Sequence, residues 1–206
     1  MQNAWREGNQ FTLLPEASRF LPAMFEAVHA AQHYILVELY LMESGELAEQ
    51  VSDALINAAQ RGVDVCLLLD GYGSMGLASE ERQRLRQGGV KLRFFNPIGF
   101  HSLALNLSRD HRKIVVIDGE LAFTGGFGAV DEFLNAWYEI ALRIDGPVVA
   151  DWEQLFRRLW SSRLTRAEKG DDSAGTLPAR RDPQLHANGL PGRAMSARGY
   201  RYQAIR

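Results

Sequence analysis

The stretch His111-Arg112-Lys113-Ile114-Val115-Val116-Ile117-Asp118-Gly119-Glu120-Leu121-Ala122-Phe123-Thr124-Gly125-Gly126 reads as a β-hairpin. Asp118-Gly119 is the favoured two-residue type I′ turn between two apolar runs. Such a turn sets the register: Ile117 opposes Glu120, Val115 opposes Ala122, Lys113 opposes Thr124, and His111 opposes Gly126. Side chains alternate along a strand, so His111 and Lys113 project from one face. A nucleophile or base thus stands beside a fixed positive charge, across from a small hydroxyl and a residue without a side chain. That leaves room for a phosphate, neutralised by Lys113, Thr124 and the backbone at Gly126. Asp118 falls in the turn, out of phase with His111 and Lys113, which makes its role structural.

Working outward, strands and helices alternate up to about Trp160. A short strand near Phe11–Leu14 leads into a helix with Phe20, Leu21, Met24, Phe25 and Val28 on one face. A strong strand, His33–Met42, precedes a second helix that begins near Ser44, buries Leu47, Val51, Leu55 and Ala58, and stops at Gly62. A buried strand (Val63–Leu69), a glycine loop (Gly71–Gly76), a charged surface helix (Ser79–Gln87) and a strand (Val90–Phe95) follow. After the hairpin come a strand, Tyr138–Asp145, and a helix, Val148–Trp160, with Trp152, Leu155, Phe156, Leu159 and Trp160 on its apolar face. This succession predicts an α/β layered fold, a mixed and mostly parallel sheet flanked by helices. Residues 1–165 form the domain. Residues 166–206 hold eight Lys/Arg against four Asp/Glu with little periodicity. They read as a basic, low-complexity linker or disordered tail.

Composition narrows the function. The net charge is −2, so no nucleic-acid partner is expected. Cys66, the only cysteine, lies in an apolar run, which excludes a disulfide framework and fits a reducing compartment. The amino terminus carries no secretory signal, and the apolar run Tyr34–Met42 is too short to span a bilayer. His29, His33, His101 and His186 follow no ligand spacing, and no carboxylate cluster accompanies them. No metal or cofactor is therefore expected. Gly71-Tyr72-Gly73-Ser74-Met75-Gly76 matches G-x-G-x-x-G between a strand and a helix. No acidic residue ends the next strand to hold a ribose, so the stretch reads as a plain loop at a strand's carboxyl edge.

A lone His-x-Lys or Asp-Gly carries little information. Here, however, H-x-K-x4-D-x6-G-G is satisfied at every position, and the chain resembles the phospholipase D superfamily. Trp5-Arg6-Glu7-Gly8-Asn9, Glu38, Leu69-Asp70-Gly71-Tyr72-Gly73-Ser74 and Arg143-Ile144-Asp145-Gly146-Pro147 look like bacterial cardiolipin synthase of the B type. The resemblance covers about Trp5 to Trp160, roughly the first half of such an enzyme, so the fold expected is a single phospholipase D-like half-domain.

The resemblance implies a phosphatidyltransferase acting on phosphatidylglycerol through a phosphohistidine. His111 would be its nucleophile or its leaving-group acid, and Lys113 its phosphate ligand. Glu139 would orient the histidine, and Asp118 belongs to the catalytic motif by position. Glu38 either faces the site or anchors the sheet, and the second reading is preferred. Gly128 departs from the family, which has Asn there. The implied partners are a peripheral membrane surface, on the cytoplasmic side of the bacterial inner membrane, and a second motif-bearing half or a homodimer partner. Two alternatives are a homodimeric phosphodiesterase or nuclease, and an incomplete, inactive lipid-binding fragment. Tyr202-Gln203-Ala204-Ile205-Arg206 echoes Phe25-Glu26-Ala27-Val28-His29 in its aromatic-x-Ala-aliphatic-basic order. On that reading a second repeat starts where the sequence stops.

Overall fold

The computed structural model describes residues 5–98, 107–168, 175–181 and 192–195. Strand β1 (Trp5–Pro15) leads to α1 (Ala17–Ala30), β2 (Tyr34–Leu39), α2 (Glu46–Gln60), β3 (Asp64–Asp70), α3 (Ser79–Gln87) and β4 (Lys91–Phe95). The hairpin β5 (Ile114–Ile117) and β6 (Leu121–Gly125) precedes α4 (Glu132–Asn135), β7 (Ile140–Asp145) and α5 (Val149–Trp160). Two short strands, β8 (Thr165–Arg166) and β9 (Gly192–Met195), complete a nine-stranded sheet ordered β8-β4-β3-β2-β5-β6-β7-β1-β9.

Strand alternation divides the sheet into two cores. Ile35, Val37 and Leu39 pack with Phe20 and Leu21 of α1 and Leu47 and Leu55 of α2. Tyr34 and Leu36 face the other way, with Phe156, Leu159 and Trp160 of α5. The expected fold of helices on a mixed sheet holds, but its strands are not mostly parallel. β2–β3 and β3–β4 are parallel, whereas the other six pairings are antiparallel. Only the first β-α-β-α-β run uses helical crossovers; the rest of the chain returns by hairpins and an added first strand.

The hairpin register also differs from the expectation. Asp118 and Gly119 have positive φ (54° and 72°) and Glu120 N–H donates to Ile117 O, as the turn chemistry requires. Yet Ile117 pairs with Leu121, Val116 with Ala122 and Ile114 with Thr124. Glu120 is an extra residue on the second strand, so every pair slips by one.

On α5 the apolar stripe is interrupted by two fully buried acids, Asp151 and Glu153. Asp151 takes a two-pronged ion pair from Arg6 (2.7 and 3.0 Å), tying β1 to α5. Glu153 pairs with Arg157 (2.7 Å).

Parts of the presumed loose tail are ordered. Leu177 packs on the α5-side core, and the carbonyls of Thr176 and Pro178 accept from Lys91 and Arg157. β9 pairs antiparallel with β1. Tyr202–Arg206 lie outside the described residues.

Candidate active site

The topology gathers the chemistry at one end of the sheet. β2 and β3 run parallel and end there, at Tyr40 and Asp70. β5 runs against β2, so His111 and Lys113 enter at that same end, β6 leaves it at Gly125, and β7 begins beside it after Glu139.

The His111 side chain is exposed, whereas Lys113 is 7% exposed. Lys113 Nζ lies 3.0 Å from His111 Nδ1 and 3.4 Å from Nε2, and it donates to the His111 carbonyl at 3.1 Å. Tyr40 floors the pair. Its ring centroid is 4.4 Å from that of His111, and Lys113 Nζ stands 5.4 Å above it. Burial, and then the Lys113 charge, lower the His111 pKa from its ordinary value. Both effects favour the neutral form of the imidazole over the imidazolium. Burial also lowers the Lys113 pKa, opposed by the carboxylates of Glu139 and Asp110.

Two expected phosphate ligands have other duties. Because of the slipped register, the Thr124 hydroxyl donates to the Lys113 carbonyl at 2.9 Å, bracing the strand that carries the lysine. The Gly126 N–H is taken by Ile140 O at 3.2 Å, and a Cβ there would collide with the Glu139 carboxylate. The Glu139 carboxylate thus lies directly over Gly126. Glu139 does come to the site, but its charge is felt by Lys113. Among the described residues, the polar group reaching the His111 ring nitrogens is Lys113.

Asp118 does not belong with the reacting groups. It sits at the opposite end of β5, where its oxygens accept N–H bonds from Gln32, His33 and Tyr34 at 2.8–2.9 Å. It holds the hairpin turn to the α1–β2 connection.

Several site residues were missed in the sequence. Asp70 is fully buried and accepts from the N–H groups of Tyr72 and Gly73 (2.9 and 3.0 Å) and of Asp110 (2.8 Å). It therefore fixes both the glycine loop and the approach to His111. Gly73 is required by closeness, since a Cβ would strike the Tyr40 carbonyl. The glycine loop is thus a packed element of this site and not a dinucleotide cradle. Glu38 is fully buried and Asp110 nearly so, and Arg112 Nε lies 2.6 Å from the first and 3.1 Å from the second. Their signal was faint: a strand ending Leu-Asp-Gly, and an acid directly before the motif.

His29 and His33 are exposed, and His101 and His186 lie outside the described residues. Among the described residues no group of three or more His, Cys, Asp or Glu is placed to hold a metal, and no helix is long and apolar enough to cross a membrane.

The profile of the family described as "Cardiolipin synthase, PLD-like domain" matches residues 24–160. The chain belongs to that family. It is 42% identical over 158 residues to cardiolipin synthase B of Salmonella typhimurium, covering 73% of this chain and 38% of that protein. It is 38% identical over 208 residues to cardiolipin synthase B of Escherichia coli K12, covering 92% of this chain and 50% of that protein. The chain thus spans half or less of these curated relatives. The crystal structure of Nuc, a phospholipase D family member from Salmonella typhimurium, shares the fold at TM-score 0.63 and 19% identity, over 77% of this chain and 97% of Nuc. The phospholipase D resemblance read from the motif holds. Gly128, the departure from the cardiolipin synthase pattern, is closely packed: a Cβ would stand 3.0 Å from both the Leu41 carbonyl and the Phe133 ring. An asparagine would need those neighbours to move.

Proposed function

We propose that this chain supplies one half of a cardiolipin synthase-type phosphatidyltransferase, in which His111 is the nucleophile. The observation that carries the reading is the exposed His111 ring with the nearly buried Lys113 Nζ 3.0 Å from its Nδ1. The imidazole nitrogen attacks the phosphorus of phosphatidylglycerol while Lys113 neutralises a nonbridging oxygen. A P–N bond forms and the P–O bond to glycerol breaks, with the leaving oxygen taking a proton from a second histidine. The primary hydroxyl of another phosphatidylglycerol, giving its proton back to that second histidine, then attacks phosphorus and frees His111. Cardiolipin and glycerol are the products.

One histidine cannot serve as leaving-group acid while it is covalently phosphorylated. The second histidine must come from another motif-bearing half, or from a second copy of this chain. Support for a peripheral lipid surface comes from the rim. Tyr72 and Met75 on the Asp70-anchored loop are 55% and 64% exposed, and Trp137 and Tyr138 beside Glu139 are 47% and 66% exposed. We assign that surface to the cytoplasmic face of the inner membrane.

The test joins the chain to a second half and follows conversion of phosphatidylglycerol to cardiolipin and glycerol. His111→Ala should abolish turnover and the acid-labile phosphohistidine while the fold is kept. An unchanged rate removes His111 from the reaction, and DNA cleavage in place of lipid transfer selects a homodimeric nuclease.

A further inference from the structure

Among the described residues beneath His111 there are more carboxyl groups than cations. Arg109 faces Asp70 (3.4 Å), Arg112 faces Asp110 (3.1 Å), and Lys113 lies in the field of Glu139. Each cation has one carboxylate. Glu38 is a fourth acid, fully buried in β2, and its Oε1 lies 2.6 Å from the same Arg112 Nε that serves Asp110. One guanidinium nitrogen facing two buried carboxyls leaves a surplus negative charge away from water. Protonating one of them costs far less than burying that charge.

We propose that Glu38 and Asp110 share one proton, carried by Glu38, and that with Arg112 they position His111 and set its charge. Glu38 then donates to the Asp110 carboxylate, and Arg112 closes the pair. Residues 110 and 112 flank His111, so the triad clamps the histidine from both sides, while Asp70 holds the Asp110 N–H from behind. The electrostatics agree: burial first, then Asp110, push the Glu38 carboxyl well above its ordinary range. The Asp110 charge in turn favours the His111 imidazolium, opposing burial and Lys113.

Among the described residues, the charged and titratable groups around the pair are Tyr40 just after β2, Asp70 on β3, Arg109, Arg112 and Lys113 before β5, and Glu139 before β7. On α5, Glu153 and Arg157 pair with each other near Tyr34, toward the other end of β2.

The consequence for catalysis rests on the reading of His111 above, but the shared proton does not, so the test needs no turnover. The His111 ring resonances of the whole chain are titrated by NMR in wild type, Glu38→Gln and Asp110→Asn. Glu38→Gln replaces a neutral acid by a neutral amide and should leave the His111 midpoint in place. Asp110→Asn removes the one negative charge and should lower it by about half a pH unit or more. Thermal unfolding gives a second arm. An acid whose folded pKa is raised stabilises fully below its unfolded pKa and loses that contribution as pH rises through the folded one. Wild type should therefore fall behind Glu38→Gln in Tm as pH rises from about 5 to about 8. Equal His111 shifts in the two variants, or a Tm gap that is flat with pH, would overturn the proposal. If Asp110→Asn fails to fold, the two Glu38→Gln readouts still decide it.

Discussion

At the residue scale, Lys113 and His111 act on each other before any substrate arrives. The ammonium 3.0 Å from Nδ1 disfavours a second positive charge, and partial burial of the ring adds to that. The sign follows directly. A depressed histidine pKa keeps the nucleophile neutral below its ordinary range, so turnover by an assembled enzyme should hold as pH falls to about 6.5 and decline only beneath it. Lys113→Ala removes the like charge as well as the phosphate ligand. It should lower kcat by about 10²–10³-fold, the loss typical of one transition-state donor, and move the acidic limb of the pH–rate profile upward. A variant with reduced kcat and an unmoved limb would separate the lysine's two roles and refute the first. In the proposed mechanism Lys113 and the histidines supply the charge stabilisation, so EDTA should leave the rate unchanged. Loss on chelation, restored by Mg²⁺ or Zn²⁺, would mark a different chemistry.

At the scale of elements, long-range polar contacts do what local signals could not announce. Asp118→Ala frees three N–H groups at the start of β2 and should lower stability by about 2–4 kcal/mol, while the folded protein retains its kcat. Lost activity with unaltered thermal unfolding would return Asp118 to the reacting groups. A similar bridge starts α2, where Asp131, from the loop before α4, accepts from Glu46 and Leu47 N–H at 3.1 and 2.8 Å. Ser44, near which that helix was expected to begin, instead accepts from Ala78 N–H at 2.8 Å before α3. Asp131→Ala should cost about 1 kcal/mol, read as a lower Tm without loss of turnover. These contacts explain what the sequence made legible. Periodicity located α1, α2 and α5 because burial is written locally in every third or fourth residue, whereas α3 was read from its charged composition. The H-x-K pair was legible as a motif, but both residues precede β5, and it is the Nζ–Nδ1 approach of 3.0 Å and not strand alternation that brings them together. Register was not, because Glu120 joins the loop only when β6 must also align with β7. Glu38 and Asp70 were hidden because the groups that face them, the Arg112 guanidinium and the Asp110 N–H, are brought near only by the fold.

At the scale of the whole molecule, the described residues form one sheet with one histidine motif, and the chain spans half or less of its cardiolipin synthase relatives. His111 is exposed at a sheet end rimmed by Tyr72, Met75, Trp137 and Tyr138. On the function proposed above, that end meets both a second motif-bearing half and a phospholipid. The two demands give separable outcomes. With its single motif the monomeric chain should convert phosphatidylglycerol at a rate near background, and turnover should appear on dimerising or on joining a second half. Vesicle binding needs only the rim, so the monomer should sediment with phosphatidylglycerol vesicles, and Tyr72→Ser with Met75→Ser should weaken that binding several-fold while leaving Tm unchanged. Those two side chains are mostly solvated, and their loss removes little packing. Robust turnover by a demonstrably monomeric chain would show that one histidine suffices and would sink the half-site reading. Unchanged sedimentation of the double variant would place the lipid contact elsewhere on the molecule.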